Sequence, residues 1–248
     1  MEIPFDQSVG ELVARHPATS RVFGRFDIDF CCGGRTTIRA LTTERPDAEQ
    51  LLAALEAALG NEQETRDESW LDRSLTDLVH HLLDHYHAPL REELPRLAQL
   101  VAAARRAHGD EGGLLPFGEI ATTLDALTEE LVGHLAKEEV VLFPAAQRLE
   151  AAAQGNAPIP TSPCGALRFP IQAMEREHEE AGAALAELRR LTENFRRPEG
   201  ACPTVLALVA GLEELETELH RHIHLENSVL FPRALDLERA LVGTEEIR

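Results

Sequence analysis

His134-Leu-Ala-Lys-Glu138-Glu-Val-Val-Leu-Phe-Pro144 and His222-Ile-His-Leu-Glu226-Asn-Ser-Val-Leu-Phe-Pro232 are one motif written twice. In each copy a histidine and a glutamate stand four residues apart, and Val-Leu-Phe-Pro closes the stretch. Four residues make about one helical turn, so the two side chains share a face and can reach one metal ion or two adjacent ones. A single pair of this kind in a Glu-rich helix is an ordinary solvated contact. Two copies carrying the same apolar tail read differently. If Val141, Leu142 and Phe143 close a core, His134 and Glu138 lie beside it, and a buried glutamate is costly unless it is paired or bound to metal.

The motifs sit in the second and fourth of four long helical segments, predicted at roughly 70–107, 117–150, 168–196 and 202–238. The breaks are Gly109–Gly113, the Pro-rich Ala157–Pro163, and Arg197-Pro198-Glu199-Gly200. No alternating β-branched run suggests a strand. Four amphipathic helices with short connectors predict a four-helix bundle of two helical hairpins. The first helix of each hairpin carries one more histidine, His87 after Tyr86 and His178 within Glu177-His178-Glu179. Pro89 and Pro95 are expected to kink the first bundle helix.

Ahead of the bundle lie short helices with sharp punctuation. Ser8-Val9-Gly10-Glu11 has capping-box spacing, and Pro17 ends the segment it starts. Further helical stretches are Ala18–Phe26, Thr36–Leu41 and Asp47–Leu59, with a turn through Asp27-Ile28-Asp29-Phe30-Cys31-Cys32-Gly33-Gly34. The polar stretch Gly60–Asp67 reads as a linker, giving a small helical N-terminal domain over 1–65 and the bundle over 70–248. The fold class is therefore all-α.

Composition narrows the function. A formal net charge of −19 opposes binding to phosphate backbones or anionic lipid, so neither nucleic acid nor membrane is expected as a partner. Neither a signal peptide nor a spanning segment is evident, which predicts a cytoplasmic protein whose four cysteines are thiols.

His87, His134, Glu138, His178, His222 and Glu226 converging in a bundle core suit two non-haem iron ions. Two carboxylates offset about half of the +4 charge of two ferrous ions, and an oxo or hydroxo bridge would offset more in the ferric form. The neighbouring His80, His81, His85, His220 and His224 are expected at the surface or hydrogen-bonded near ligands. His16 and His108 are expected to be solvated beside turns. Cys31 and Cys32 have two readings: small packed thiols, or a pair for redox exchange or for binding iron or a partner's cluster. Cys164 and Cys202 are assigned no role.

At these residues the chain resembles the iron–sulfur cluster repair di-iron proteins, the repair-of-iron-centres (ScdA/YtfE) family. Phe26-Asp-Ile-Asp-Phe-Cys-Cys-Gly-Gly34 resembles that family's N-terminal signature, and the Tyr86-His87, His134/Glu138, Glu177-His178-Glu179 and His222/Glu226 motifs resemble its ligand helices. The resemblance covers nearly the whole chain. It implies a hemerythrin-like bundle with four terminal histidines and two bridging glutamates. It also implies action on iron–sulfur clusters damaged by nitric oxide or oxidants, with damaged iron–sulfur proteins as transient partners and a homodimer left open. Two other functions compete: reduction of nitric oxide at the two irons, and binding of oxygen or nitric oxide as a hemerythrin-like sensor.

Overall fold

The computed structural model describes residues 3–43, 45–61, 70–110, 114–158 and 167–245. Helices account for nearly all of their regular structure, and the one β-bridge among them joins Ser8 to Thr37. The short helices are α1 (Val9–Arg15), α2 (Thr19–Arg25), α3 (Ile38–Thr43) and α4 (Ala48–Asn61). The long runs are α5 (Leu75–Leu82) into α6 (Ala88–His108), α7 (Phe117–Lys137) into α8 (Phe143–Ala153), α9 (Arg168–Leu191), and α10 (Pro203–Leu225) into α11 (Phe231–Glu245). The predicted linker lies almost wholly outside the described residues, as does Cys164.

The chain forms two compact units, one of residues 80–144 and 169–219, the other of residues 1–79, 145–168 and 220–248. In the first, four helical runs pack on one apolar core. Leu94, Leu97 and Val101 of α6 meet Leu124, Leu127 and Leu131 of α7, Leu185 and Leu188 of α9, and Leu208, Leu212 and Leu215 of α10. These positions repeat every three or four residues, the spacing that puts one stripe of a helix against its neighbours. Each fully buried leucine contributes about 1.5–3 kcal/mol relative to exposure.

The second unit is built around Val9, Leu12, Phe23, Ile38, Leu51, Leu55 and Leu59, with Ile223 of α10 in the same core. The capping box is present: Ser8 Oγ accepts from the Glu11 amide at 3.2 Å, and Glu11 Oε2 accepts from the Ser8 amide at 2.9 Å. Glu150 of α8 caps α5 across 75 residues of chain, accepting from the amides of Leu75 at 2.6 Å and Thr76 at 3.0 Å. Arg233 of α11 donates to the Trp70 carbonyl at 2.8 Å.

Helix α9 stops at Leu191, short of the predicted end near residue 196. Glu193, Asn194 and Phe195 take positive φ values of 51°, 59° and 56°. Helical spacing cannot reveal this reversal, which places Phe195 in the bundle core. Three π-helical turns interrupt the long runs, at Leu83–His87, Glu138–Leu142 and Glu226–Leu230. No helix among the described residues is long and apolar enough to cross a membrane.

Candidate metal centre

Each π turn ends one residue before an X-Pro pair: Ala88-Pro89, Phe143-Pro144 and Phe231-Pro232. A proline has no amide hydrogen, and its ring collides with the carbonyl four residues back. Lengthening the preceding turn moves that carbonyl aside. The amides of Ala88, Phe143 and Phe231 accordingly bond five residues back, to the carbonyls of Leu83, Glu138 and Glu226. Thus the prolines do not simply kink the helix. They place a π turn, a feature frequent at functional sites, against three of the expected ligands: His87 ends one, and Glu138 and Glu226 each begin one.

The apolar tail faces the core only in part, and differently in the two copies. Leu142 and Phe143, which follow Glu138 at i+4 and i+5, are buried, while Val140 and Val141 are 74% and 50% exposed. In the second copy Val229, the counterpart of Val141, is fully buried. A β-carbon added at Gly10 of α1 would sit 2.6 Å from Ser228 Oγ, so the N-terminal helices lie tightly on that copy.

In the first unit His87, His134, Glu138 and His178 are all at most 3% exposed. His134 Nε2 lies 3.3 Å from Glu138 Oε1, and His87 Nε2 lies 3.5 Å from Glu138 Oε2. The two carboxylate oxygens thus face different imidazoles, the arrangement of a carboxylate that can bridge two cations. His178 Nε2 is 3.0 Å from His134 Nε2. Two ring nitrogens this close both present lone pairs unless a proton or a cation lies between them. The ligand atoms of His134, Glu138 and His178 all lie within 4.8 Å of one another.

The tautomers suit metal binding. His87 Nδ1 lies 2.8 Å from Glu139 Oε1, which also accepts from Arg91 at 2.7 Å. His134 Nδ1 lies 2.8 Å from Glu177 Oε2, whose other oxygen pairs with Lys137. A carboxylate that accepts the hydrogen bond from Nδ1–H leaves Nε2 as the ligand atom and makes it more basic. Burial pushes the carboxyls of Glu139 and Glu177 up, but hydrogen bonds from His87 and Arg91, and from Lys137 and His134, outweigh it and hold both below the usual range.

The second unit holds the other pair. His222 Nε2 lies 3.0 Å from Glu226 Oε1, and both residues are buried. His224, expected at the surface or near a ligand, is also buried, with Nδ1 3.4 Å from the Phe30 carbonyl. Burial pushes its imidazole down to about 4, so it is neutral at ordinary pH. A buried carboxylate with imidazole nitrogens directed at it is a donor set of hard oxygen and borderline nitrogen that fits iron.

Sequence reasoning missed Glu139, Glu177, Arg91 and Lys137 as groups that orient the ligands. The available signal was an acid directly beside Glu138 and His178, with a base three or four residues beyond a ligand histidine. It also missed His108, which is not merely solvated. His108 Nε2 lies 3.2 Å from Cys202 Sγ and draws that thiol down to about 7. Cys31 is buried and Cys32 is half-buried.

The cation-binding description "Hemerythrin HHE cation binding domain" matches residues 78–234, and a domain of unknown function, ScdA_N, matches residues 5–59. The iron–sulfur cluster repair protein YtfE of Yersinia pseudotuberculosis (serotype O:1b) is 40% identical over 232 residues, covering 93% of this chain and 97% of that protein. The protein of the same name from Yersinia pestis (strain Pestoides F) is 39% identical over the same shares. This chain belongs to the iron–sulfur cluster repair protein family. Membership accounts for the hemerythrin-like bundle and for its buried His/Glu groups suited to a metal cation.

Proposed function

We propose that the chain holds two non-haem iron ions through His87, His134, Glu138, His178, His222 and Glu226, and that it restores iron–sulfur clusters damaged by nitrosative or oxidative stress. The observation that carries the metal assignment is Glu138: each of its buried oxygens faces a different histidine, and Glu226 repeats that glutamate in the second motif. In this reading Glu138 and Glu226 would be shared between the two ions, and each of the four histidines would bind one of them. Iron would supply exchangeable metal or electrons. Glu139 and Glu177 hold the His87 and His134 imidazoles as Nε2 donors, and burial of the ligands excludes water.

The role in repair is supported by relatives, named iron–sulfur cluster repair proteins, that align over nearly the whole chain. Damaged iron–sulfur proteins are then transient partners in the cytoplasm. Residues 1–65 act as a small domain whose Cys31 and Cys32 serve the recipient side, in transfer or redox exchange. Six protein ligands leave coordination positions open on two irons, so reduction of nitric oxide remains the second reading.

The deciding assay incubates the iron-loaded chain with an iron–sulfur enzyme inactivated by nitric oxide. Return of that enzyme's activity, lost in a Glu138→Ala variant, supports repair. Nitrous oxide release with an electron donor, and no reactivation, would replace repair with nitric oxide reduction.

A further inference from the structure

The turn after α2 holds three metal-binding atoms that the bundle does not use. Cys31 Sγ is 3.1 Å from Asp29 Oδ1 and 3.7 Å from Cys32 Sγ. The ligand atoms of the three residues all lie within 4.8 Å of one another. We propose that Asp29, Cys31 and Cys32 form a second metal site, for one thiophilic divalent cation bound by two thiolates and a carboxylate. It stands whether or not the bundle repairs clusters.

The turn is organised before any ion arrives. Asp29 Oδ1 accepts from the amides of Cys31 and Cys32, each at 2.9 Å, and Oδ2 accepts from the Gly33 amide at 2.8 Å. Asn227 Nδ2 donates to the Cys31 carbonyl at 3.2 Å, and the Gly10 amide donates to the Gly34 carbonyl at 2.8 Å. A β-carbon on Gly34 would lie 2.6 Å from the Phe30 carbonyl oxygen, so the glycine is there for close approach. Its φ is not positive. The donors are therefore held near one another without ordering a loop on binding.

The sulfurs are not bonded to each other, since a disulfide needs about 2.05 Å. In the metal-free turn Cys31 donates its thiol proton to Asp29, and a cation would take that proton's place. Binding converts two thiols and M²⁺ into a dithiolate complex and two released protons. Soft sulfur donors select zinc, ferrous iron and their like over calcium or magnesium. Three protein ligands leave a fourth tetrahedral position open, and Cys32, half-buried rather than buried, is where an outside ligand would enter.

Cobalt(II) is the probe, because thiolate-to-cobalt charge transfer absorbs strongly and none of the six proposed bundle ligands is a thiol. The full-length, iron-loaded protein is titrated with cobalt(II). The expected result is a near-ultraviolet thiolate band that saturates at one cobalt per chain, with roughly two protons released per ion. A Cys164→Ser, Cys202→Ser variant should keep the band. Cys31→Ser, Cys32→Ser should abolish it, and Cys32→Ser alone, which changes only a half-buried thiol, should cut it by about half. Absence of a thiolate band in the parent, a band that survives in the Cys31→Ser, Cys32→Ser variant, or an undiminished band in Cys32→Ser overturns the assignment.

Discussion

Replacing Glu177 with Gln keeps the size of the side chain and removes one charge. In the parent, His134 Nδ1 lies 2.8 Å from Glu177 Oε2, while the other oxygen pairs with Lys137. The amide oxygen of Gln can still accept the Nδ1 proton, but it no longer polarises the ring or balances Lys137. Glu177 and Lys137 are 28% and 54% exposed, so their ion pair contributes at most about 1 kcal/mol to folding. The metal-free variant should then melt within about 2–4 °C of the parent. Iron affinity should fall roughly 10- to 100-fold, or about 1.4–2.7 kcal/mol, the usual effect of losing a group that orients a ligand histidine. The assay is iron retention against a graded series of chelators, with calorimetry of both metal-free proteins. Lys137→Met, which leaves the carboxylate in place, should cost less affinity than Glu177→Gln. An unchanged chelator curve for Glu177→Gln, or the reverse order of the two variants, would refute the reasoning.

Pro144→Ala restores an amide and removes the ring that excludes an α-turn at residues 138–142. It should lower iron retention without lowering the metal-free melting temperature, and a parallel loss of both would argue that the proline acts only on stability. Gly34→Ala places a β-carbon 2.6 Å from the Phe30 carbonyl oxygen and should destabilise the second unit by about 1–3 kcal/mol in denaturant unfolding. His224 is held down to about 4 in the folded chain against 6.5 when exposed, so the unfolded chain takes up the proton first. Its contribution is present above pH 6.5 and is lost as pH falls toward 4, on the order of 3 kcal/mol in all. Metal-free His224→Gln should show a flatter acid limb in melting temperature against pH, and an unchanged limb would rule His224 out as its source.

The four long helices were legible because leucine spacing is a property of the chain alone, and the repeat made Glu138 and Glu226 stand out among many glutamates. The π turns were not read, although the X-Pro pairs after His87, Leu142 and Leu230 mark each one. The exposure of Val141 is not set by the turn, since the same π turn in the second copy buries Val229; what differs is the packing on each copy, with α1 lying on the second. Glu139 and Glu177 escaped notice because an acid beside a ligand is unremarkable until Arg91 and Lys137, on facing helices 48 and 40 residues away in sequence, are seen to grip it. The burial of His224 and Cys31 depends on contacts between residues nearly 200 apart in sequence, such as His224 with Phe30 and Asn227 with Cys31. No local pattern reports these.

The central claim is the two-iron centre, and iron analysis of the purified full-length chain tests it most directly. The account predicts two irons per chain in the parent, with Glu138→Ala and Glu226→Ala each losing more than one, since each carboxylate is assigned to both ions. One iron per chain or none in the parent, or two irons retained in either variant, would contradict it.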